Sequence, residues 1–269
     1  MKVVVCALAK NEHLYINEWV NHYLLLGVDK IYICDNDDLD KPYIGDYIEH
    51  KEKVEIINIR GKRGKNMHHM VFSNFYNKYD FDWCIFCDID EFLMGIDDIH
   101  EFLKYKHVPQ IRIKWKLFGD DNLITRDMSK GLIETFKKEI KHSLKNDLVS
   151  PNNLENQGKS IVKGHLKNVV FRSPHFASYI TRSNVLPSIL PSGLPCKSKV
   201  EIEEDYSNET VFFNHYMTKS LDEFINQKLN RNDAVFDTHL KMNYYWRINK
   251  KTKKKLDYLK AKGIINGNE

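Results

Sequence analysis

Glycine and proline are scarce in this chain of 269 residues, at 12 and 7, which excludes collagen-like and low-complexity classes. Long apolar runs are missing too. No stretch approaches the roughly 18 residues of a membrane-spanning helix, so the chain is expected not to cross a bilayer. The apolar start, Val3 to Ala9, is short and runs into Lys10, Asn11 and Glu12. It reads as a first strand rather than a signal peptide. Cysteines are few and odd in number: Cys6, Cys34, Cys84, Cys87 and Cys196. Four lie in apolar, strand-like segments, where a free thiol behaves as a small hydrophobe. This usage excludes a disulfide scaffold and fits a reducing, cytoplasmic compartment. Cys84 and Cys87 form a C-x-x-C, but along a strand residues three apart point to opposite faces. No second ligand pair stands nearby to complete a zinc site.

What is present is a 42% hydrophobic, 12% aromatic composition, enough to build a large core without staples. The net charge of +4 is unevenly placed. From Lys241 to Lys262 there are nine Lys and Arg against Asp257 alone, a net +8. The C-terminus is thus a basic tail on a mildly acidic body, with Tyr244, Tyr245 and Trp246 ahead of the main lysine run. Aromatics beside a polybasic segment suit peripheral contact with an anionic membrane surface through residues 241–262. A solvated final helix accounts for the same residues equally well. No nucleic-acid motif accompanies the tail, so no nucleic-acid partner is expected.

The order of patterns predicts an α/β fold. Lys2 to Leu8, Ile31 to Cys34, Val54 to Ile59 and Trp83 to Cys87 read as strands. Between them, Glu12 to Leu26, Pro42 to His50 and Asn66 to Tyr79 carry helical patterns, with Gly27 where a helix C-cap belongs. This alternation predicts a mostly parallel central sheet flanked by helices. Beyond Phe92 the pattern loosens. Ile99 to Tyr105 and Leu221 to Leu229 look helical, Gln110 to Trp115, Val169 to Arg172 and Val211 to Phe213 strand-like, and Met128 to Gln157 is polar. No linker composition or internal repeat divides the chain. One domain over residues 1–240 with a helical C-terminal extension, 241–269, is expected.

Ligands of such sheets bind beyond the carboxyl ends of the strands. Three polar clusters fall there: Lys10-Asn11-Glu12, Asp35-Asn36-Asp37 and Asp88-Ile89-Asp90-Glu91. The last carries the chemistry. In extended backbone, Asp88 and Asp90 point to one side. Paired carboxylates suit magnesium or manganese, with phosphate oxygens completing the shell, and such an ion would neutralise a diphosphate leaving group. A solvated turn is the plain alternative, but an apolar strand delivering three carboxylates to a sheet edge has little structural purpose.

The stretches VVVCALAKNEHLYINEWVNHYLLLGVDKIYICDNDD, DWCIFCDIDEFL, WKLFG and FNHYMTKSLDEFINQKLNR, in this order, resemble the GT-A glycosyltransferases of family 92 (DUF23) and the related family-2-like group. D-I-D-E-F and N-H-Y-M-T-K-S are the most specific pieces. At His68 many relatives are expected to carry glutamine, and Ser129 to Lys159 does not align. The resemblance implies a GT-A, Rossmann-like fold, an inverting sugar transfer, a nucleotide-sugar donor such as UDP-galactose, and a divalent metal, Mn2+ or Mg2+. It implies that Asp88 and Asp90 hold the metal and the donor diphosphate, with His215 as candidate third ligand and His175 as the alternative. Glu91 would orient the loop or touch the donor sugar, and Lys10, Asn11, Glu12 and Asp35 would lie beside the nucleotide. Lys219 and Ser220 would meet the phosphates. The basic loop Arg60 to Lys65 reads as a solvated turn. His22, Trp19 and Tyr23 read as structural, on a largely apolar helix. Trp115 to Gly119 would shape the acceptor side.

Inversion needs a carboxylate base for the acceptor hydroxyl. Asp120, Asp121 and Glu134 are candidates, with Asp121 preferred. Two other classes fit a D-x-D after a strand: a metal-dependent nucleotidyltransferase and a non-catalytic carbohydrate-binding homologue. There is no P-loop pattern for triphosphate hydrolysis. The Lys, Asn and Ile content suggests a bacterial, cytoplasmic protein; for a transferase of the kind it resembles, the expected product is lipopolysaccharide or capsule, built on a glycan or lipid-linked acceptor, with the enzyme in the cytoplasm or at the inner face of the plasma membrane.

Overall fold

The structure is a computed structural model that describes residues 1–62, 64, 66–140, 156–181, 184–198, 202–229 and 238–265. The chain parts into two compact units, Met1–Lys116 with His142–His215 and Leu117–Lys141 with Tyr216–Glu269.

The first unit opens with β1 (Val3–Ala9), α1 (Ile16–Leu25), β2 (Lys30–Asp35), β3 (Val54–Asn58), α2 (Met67–Lys78), β4 (Trp83–Asp88), β5 (Glu91–Met94), α3 (Ile99–Leu103) and β6 (Gln110–Leu117). Then come β7 (Gly158–Lys163), β8 (Val169–Phe171), β9 (Ala177–Tyr179), β10 (Ser188–Ile189), β11 (Pro195–Cys196) and β12 (Phe212–His215). Among the described residues one sheet runs β11-β10-β6-β7-β4-β1-β2-β3, with β12 pairing β5 and β6, and β8 pairs β9 separately. The run β3-β2-β1-β4 is parallel; β1, β2 and β4 are the buried, apolar strands, as strands covered on both faces must be, while the edge strand β3 is only partly buried. Beyond β4 the sheet turns mixed, because β7 lies antiparallel to both β4 and β6.

The alternation of strands and helices placed β1 to β4, α1 and α2 within a few residues of where they stand. Gly27 ends α1 at φ +85°, a conformation glycine adopts freely. Pro42 to His50 does not form a helix; it holds a single 3-10 turn, Ile44–Tyr47, and the stretch around Pro42 and Gly45 carries too little apolar spacing to extend it. Strand β7 went unread. Its six residues, GKSIVK, offer only Ile161 and Val162 as strand signals. The helical spacing of Leu221 to Leu229 resolves into one short α-helical turn that continues as a π-helical turn, Phe224–Leu229.

Helix α2 builds the core on one side of the parallel strands. Val71, Phe72, Phe75 and Tyr76 pack with Val4, Cys6, Tyr32, Phe86 and Phe171. The rings of Phe86 and Phe171 are 4.4 Å apart and those of Phe72 and Phe86 5.1 Å. Each such ring contributes roughly 1.5–3 kcal/mol by burial. All five cysteines are buried and free, and burial pushes the Cys84 and Cys87 thiols well up.

The second unit contains α4 (Leu132–Thr135), α5 (Leu221–Glu223) with the π-helical stretch that continues it, α6 (Thr238–Ile248) and α7 (Lys253–Ala261). Its core is Leu221, Phe224, Ile225, Leu229, Met242, Tyr245 and Leu259. Two buried ion pairs stand in it, Arg126 with Glu223 at 2.9 Å and Lys255 with Asp120. The basic tail is therefore packed structure here: Tyr245 and Lys255 are fully buried, while Lys250, Lys251, Lys253 and Lys254 are exposed. Among the described residues no helix is long and apolar enough to cross a membrane.

Candidate active site

The carboxyl edge of the parallel strands gathers most of the sequence-selected residues. The register pairs Leu8 of β1 with Asp88 of β4 and Ala9 with Asp35 of β2. Asp35 and Asp88 therefore flank the end of β1, one strand away on either side. The Lys10-Asn11-Glu12 loop leaves from between them. Asn11 takes a left-handed φ of 59°, which asparagine tolerates better than most residues. Its N–H donates to Asp37 Oδ1 at 2.5 Å, and Lys10 Nζ lies 3.6 Å from Asp38. Glu12 is buried.

Asp35 is fully buried. Burial pushes its carboxyl up; the Asp37 N–H, donating at 3.0 Å, and Arg60, at 3.7 Å, oppose that. Arg60 also donates to the carbonyls of Asp38 and Lys41. The loop it opens thus clamps the second cluster; Arg63 and Lys65 lie outside the described residues.

The Asp88–Glu91 segment departs from the extended backbone expected of it. Ile89 and Asp90 form a turn between β4 and β5, so Asp88 and Asp90 meet different partners. Strand β5 then pairs antiparallel with β12, which sets His215 opposite Glu91. His215 Nε2 is 3.5 Å from Asp90 Oδ1 and its Nδ1 is 3.8 Å from Glu91 Oε1. The late histidine and the acid cluster, over a hundred residues apart in sequence, meet through this ladder. The imidazole lies 4.5 Å from the Trp115 ring, which also faces His175 at 5.2 Å. The buried Trp115 Nε1–H has no hydrogen-bond acceptor among the described residues.

Asp88 is held by two groups that sequence reasoning did not assign. His68, in the first turn of α2, reaches Asp88 Oδ1 at 3.0 Å, and Lys159 of β7 donates to Asp88 Oδ2 at 2.8 Å. Lys159 Nζ also lies 3.7 Å from Glu91 Oε2 and donates to the Pro174 carbonyl at 3.3 Å. Its ammonium is buried. Burial alone would lower its pKa, but Asp88 and Glu91 raise it above the ordinary lysine value. Burial pushes the Asp88 carboxyl up, yet Lys159 and His68 outweigh this and hold it well below the carboxylate range. The Glu91 carboxyl goes the other way: burial, with Asp88 and Asp90 beside it, raises it well up against the pull of Lys159. The visible signal for Lys159 was a lone lysine after a glycine in a short apolar run. Gly158 is required there, since a Cβ would come within 2.0 Å of the Ile113 carbonyl.

Helix α1 fixes the backbone of this turn. Trp19 Nε1–H and the Tyr23 hydroxyl both donate to the Glu91 carbonyl at 3.0 Å, and His22 Nε2 meets the Leu93 carbonyl at 2.8 Å. These three act as the expected structural residues. His175 turns its Nδ1 to the Gly158 carbonyl at 2.9 Å, a structural engagement.

Asp121, Lys219 and Ser220 belong to the second unit. Asp121 has φ 46° and accepts from the Lys137 N–H at 3.1 Å. Lys219 is buried at φ 54°. Ser220 caps α5, its hydroxyl donating to Glu223 at 2.7 Å and accepting from the Glu223 N–H. Asp120 has both oxygens engaged, by the Asn122 N–H, the Tyr245 hydroxyl and Lys255. Glu134 pairs with Lys130 on an exposed face.

Asp88, Asp90 and His215 fit a divalent cation in kind: two hard oxygen donors and an imidazole. They do not form a ready cage. Among the described residues no three His, Cys, Asp or Glu side chains are grouped to hold an ion, and Asp88 is already neutralised by Lys159.

The family model of glycosyltransferase family 92 matches residues 1–257. The chain belongs to this family. Among proteins of curated function none matches the chain. Solved structures of TarS from S. aureus are similar in part. The form comprising residues 1–349 is 14% identical over 61% of this chain and 47% of that one, at TM-score 0.36. Its complexes with UDP-GlcNAc and UDP are 15% and 16% identical over 44% of this chain and 35% and 36% of those, at TM-scores 0.32 and 0.34. The chain spans less than half the length of these proteins. A mixed α/β architecture built on a parallel sheet edge is the setting in which this family 92 member carries its acid cluster.

Proposed function

We propose that this family 92 enzyme transfers a sugar from a nucleoside diphosphate donor, a UDP-sugar such as UDP-galactose, to a hydroxyl of a glycan or lipid-linked glycan. The observation that carries the reading is the Asp88–Glu91 turn at the carboxyl edge of the parallel sheet, with His215 set beside Asp90 by the β5–β12 ladder. Asp88, Asp90 and His215 would hold a divalent cation, Mn2+ or Mg2+. When bound, such an ion supplies positive charge against the departing diphosphate. Lys10, Asn11, Glu12 and Asp35 stand at the neighbouring strand ends, where nucleotides dock in open parallel sheets. Glu91, held by two α1 side chains through its carbonyl, keeps the turn in place. Trp115, with a buried N–H and ring contacts to His175 and His215, supplies an apolar face and a donor of the kind sugars use.

Transfer is read as inverting, with Asp121 proposed as the base that takes the proton of the attacking acceptor hydroxyl. The exposed lysines of the tail would hold the enzyme at the inner face of a bacterial plasma membrane, where lipopolysaccharide or capsule is assembled. The test is UDP release from a panel of UDP-sugars, with manganese or with EDTA. Release from one sugar with manganese, falling about 100-fold in Asp90→Asn as expected when an electrostatic partner of the transition state is removed, supports the reading. Release that persists unchanged in EDTA and in Asp90→Asn would sink it.

A further inference from the structure

Strands β6 and β7 bring together two polar side chains that the acid cluster does not use. Lys114 lies opposite Gly158 in this antiparallel pair, and the Trp115 N–H donates to the Gln157 carbonyl at 3.0 Å. Trp115 and Gln157 are therefore cross-strand neighbours on one face of the sheet. Side chains alternate along a strand, so Lys159, which reaches Asp88 and Glu91, is on this face too. The indole packs against the rings of His215 and His175, at 4.5 Å and 5.2 Å. His215 in turn lies 3.5 Å from Asp90.

Both side chains are buried, Trp115 at 9% exposure and Gln157 at 8%. Among the described residues neither the Trp115 Nε1–H nor Gln157 Oε1 has a hydrogen-bond partner. Most buried polar side-chain atoms are paired, and one left unpaired costs stability. Here a donor and an acceptor stand on opposite residues without closing on each other. A hydroxyl satisfies both, because it accepts from one group and donates to the other. The transferred sugar is bonded through its anomeric carbon to the diphosphate at the acid turn, so its hydroxyls are the ones next to this pair.

We propose that Trp115 and Gln157 together bind one hydroxyl of the transferred sugar, which makes Gln157 a specificity-determining residue for the donor. This rests on the nucleotide-sugar reading given above. The Trp115 Nε1–H donates to the hydroxyl oxygen, and Gln157 Oε1 accepts the hydroxyl proton. A sugar without that hydroxyl, or with it in the other configuration, leaves both atoms buried and unpaired and is rejected. UDP alone does not meet the pair.

The experiment measures binding of UDP, UDP-galactose, UDP-glucose and UDP-N-acetylglucosamine to the full chain by isothermal titration calorimetry, with manganese present. The tightest sugar nucleotide is then compared with its forms deoxygenated singly at each hydroxyl carbon of the sugar. In wild type one deoxygenation should weaken binding by at least about thirtyfold, since two buried groups stay unpaired. Gln157→Met should weaken the parent sugar nucleotide by at least about tenfold, shrink that discrimination at least about fivefold, and keep the affinity for UDP. Thermal unfolding of each variant shows that it is folded. Wild type with no sensitive hydroxyl overturns the proposal, whether or not the variants fold. A folded Gln157→Met with undiminished discrimination overturns it too, as does one that loses UDP affinity as much as sugar affinity. If Gln157→Met does not fold, Trp115→Phe carries the same comparison with the same outcomes. Failure of UDP and of every UDP-sugar to bind wild type removes the nucleotide-sugar reading and this inference with it.

Discussion

The indole N–H of Trp19 donates to the backbone carbonyl of Glu91 at 3.0 Å, a buried bond that ties helix α1 to the end of the acid turn. The Tyr23 hydroxyl donates to the same carbonyl. Two donors on one buried acceptor predict non-additive loss. Tyr23→Phe removes only a hydroxyl and should cost about 1 kcal/mol, since one donor remains. Tyr23→Phe combined with Trp19→Phe takes both side-chain donors from the carbonyl and should cost more than the sum of the two single changes. Urea unfolding of the four proteins measures this, and simple additivity would mean that the carbonyl is not the shared point. Turnover should fall in the double variant as the turn loosens.

His175 gives a pH dependence with a definite sign. Burial, then the nearby Lys159 charge, lowers its pKa from the ordinary 6.5 to about 3. The unfolded chain therefore binds a proton between pH 6.5 and about 3 that the folded chain does not. Stability is full above pH 6.5 and declines as the pH falls towards 3. Between pH 6.5 and 5 this single site should remove about 2 kcal/mol. Depressed Asp88 acts in the same direction, with its loss below the ordinary carboxylate range. His175→Gln should shrink the difference in unfolding free energy between pH 7 and pH 5 by about 2 kcal/mol. An undiminished difference would place the proton elsewhere.

In the second unit, Arg126 and Glu223 form a buried pair at 2.9 Å, and Glu223 also receives the Ser220 hydroxyl. Breaking a buried pair from one side strands a charge. Arg126→Met or Glu223→Gln alone should each cost about 3–5 kcal/mol, and the double variant less than their sum. Chemical denaturation of the double-mutant cycle reads the coupling. Additive losses would mean that the two charges do not depend on each other.

The parallel half of the sheet was legible because its strands are continuous apolar runs with acids at their ends. Val3–Ala9 and Trp83–Asp88 could hardly be anything else. The acid cluster was legible for the same reason, since Asp88 and Glu91 stand where an apolar strand stops. What the sequence did not disclose was pairing. Strand β7 is two apolar residues long in effect, so neither its existence nor the arrival of Lys159 at Asp88 could be read from period or spacing. His68 looked like a departure from the pattern and proved to be a partner of Asp88. His215 was legible as a candidate only through resemblance; its place beside Asp90 depends on a ladder between residues 91–94 and 212–215, which no local signal announces.

The exposed lysines of the tail carry a prediction about surfaces. Tyr245 is buried against Phe224 and so is not free to insert into lipid, whereas Lys250, Lys251, Lys253 and Lys254 are exposed. Binding to anionic vesicles should therefore be electrostatic and salt-sensitive. At about 1 kcal/mol per basic residue, Lys253→Glu/Lys254→Glu should weaken binding to vesicles containing phosphatidylglycerol by at least tenfold. Neutral vesicles should not bind either protein. Equal binding of both proteins to anionic vesicles would remove the tail from that role.

Asp120 and Asp121 are neighbours with opposite prospects, which makes the base assignment testable. Asp120 is buried, with its oxygens taken by Tyr245, Lys255 and the Asn122 N–H. Its neutralisation leaves Lys255 buried and unpaired, so Asp120→Asn should destabilise by about 3–5 kcal/mol. Asp121 is half-buried, and its side chain accepts from the Lys137 N–H, a bond that an asparagine oxygen can accept equally well. Asp121→Asn should leave the unfolding temperature within about 2 °C of wild type and keep UDP affinity. Transfer to acceptor should fall by about 100-fold or more, as loss of a general base does. Unchanged transfer in a folded Asp121→Asn would pass the role to another carboxylate, and a variant that loses stability rather than turnover would make Asp121 a structural residue like its neighbour.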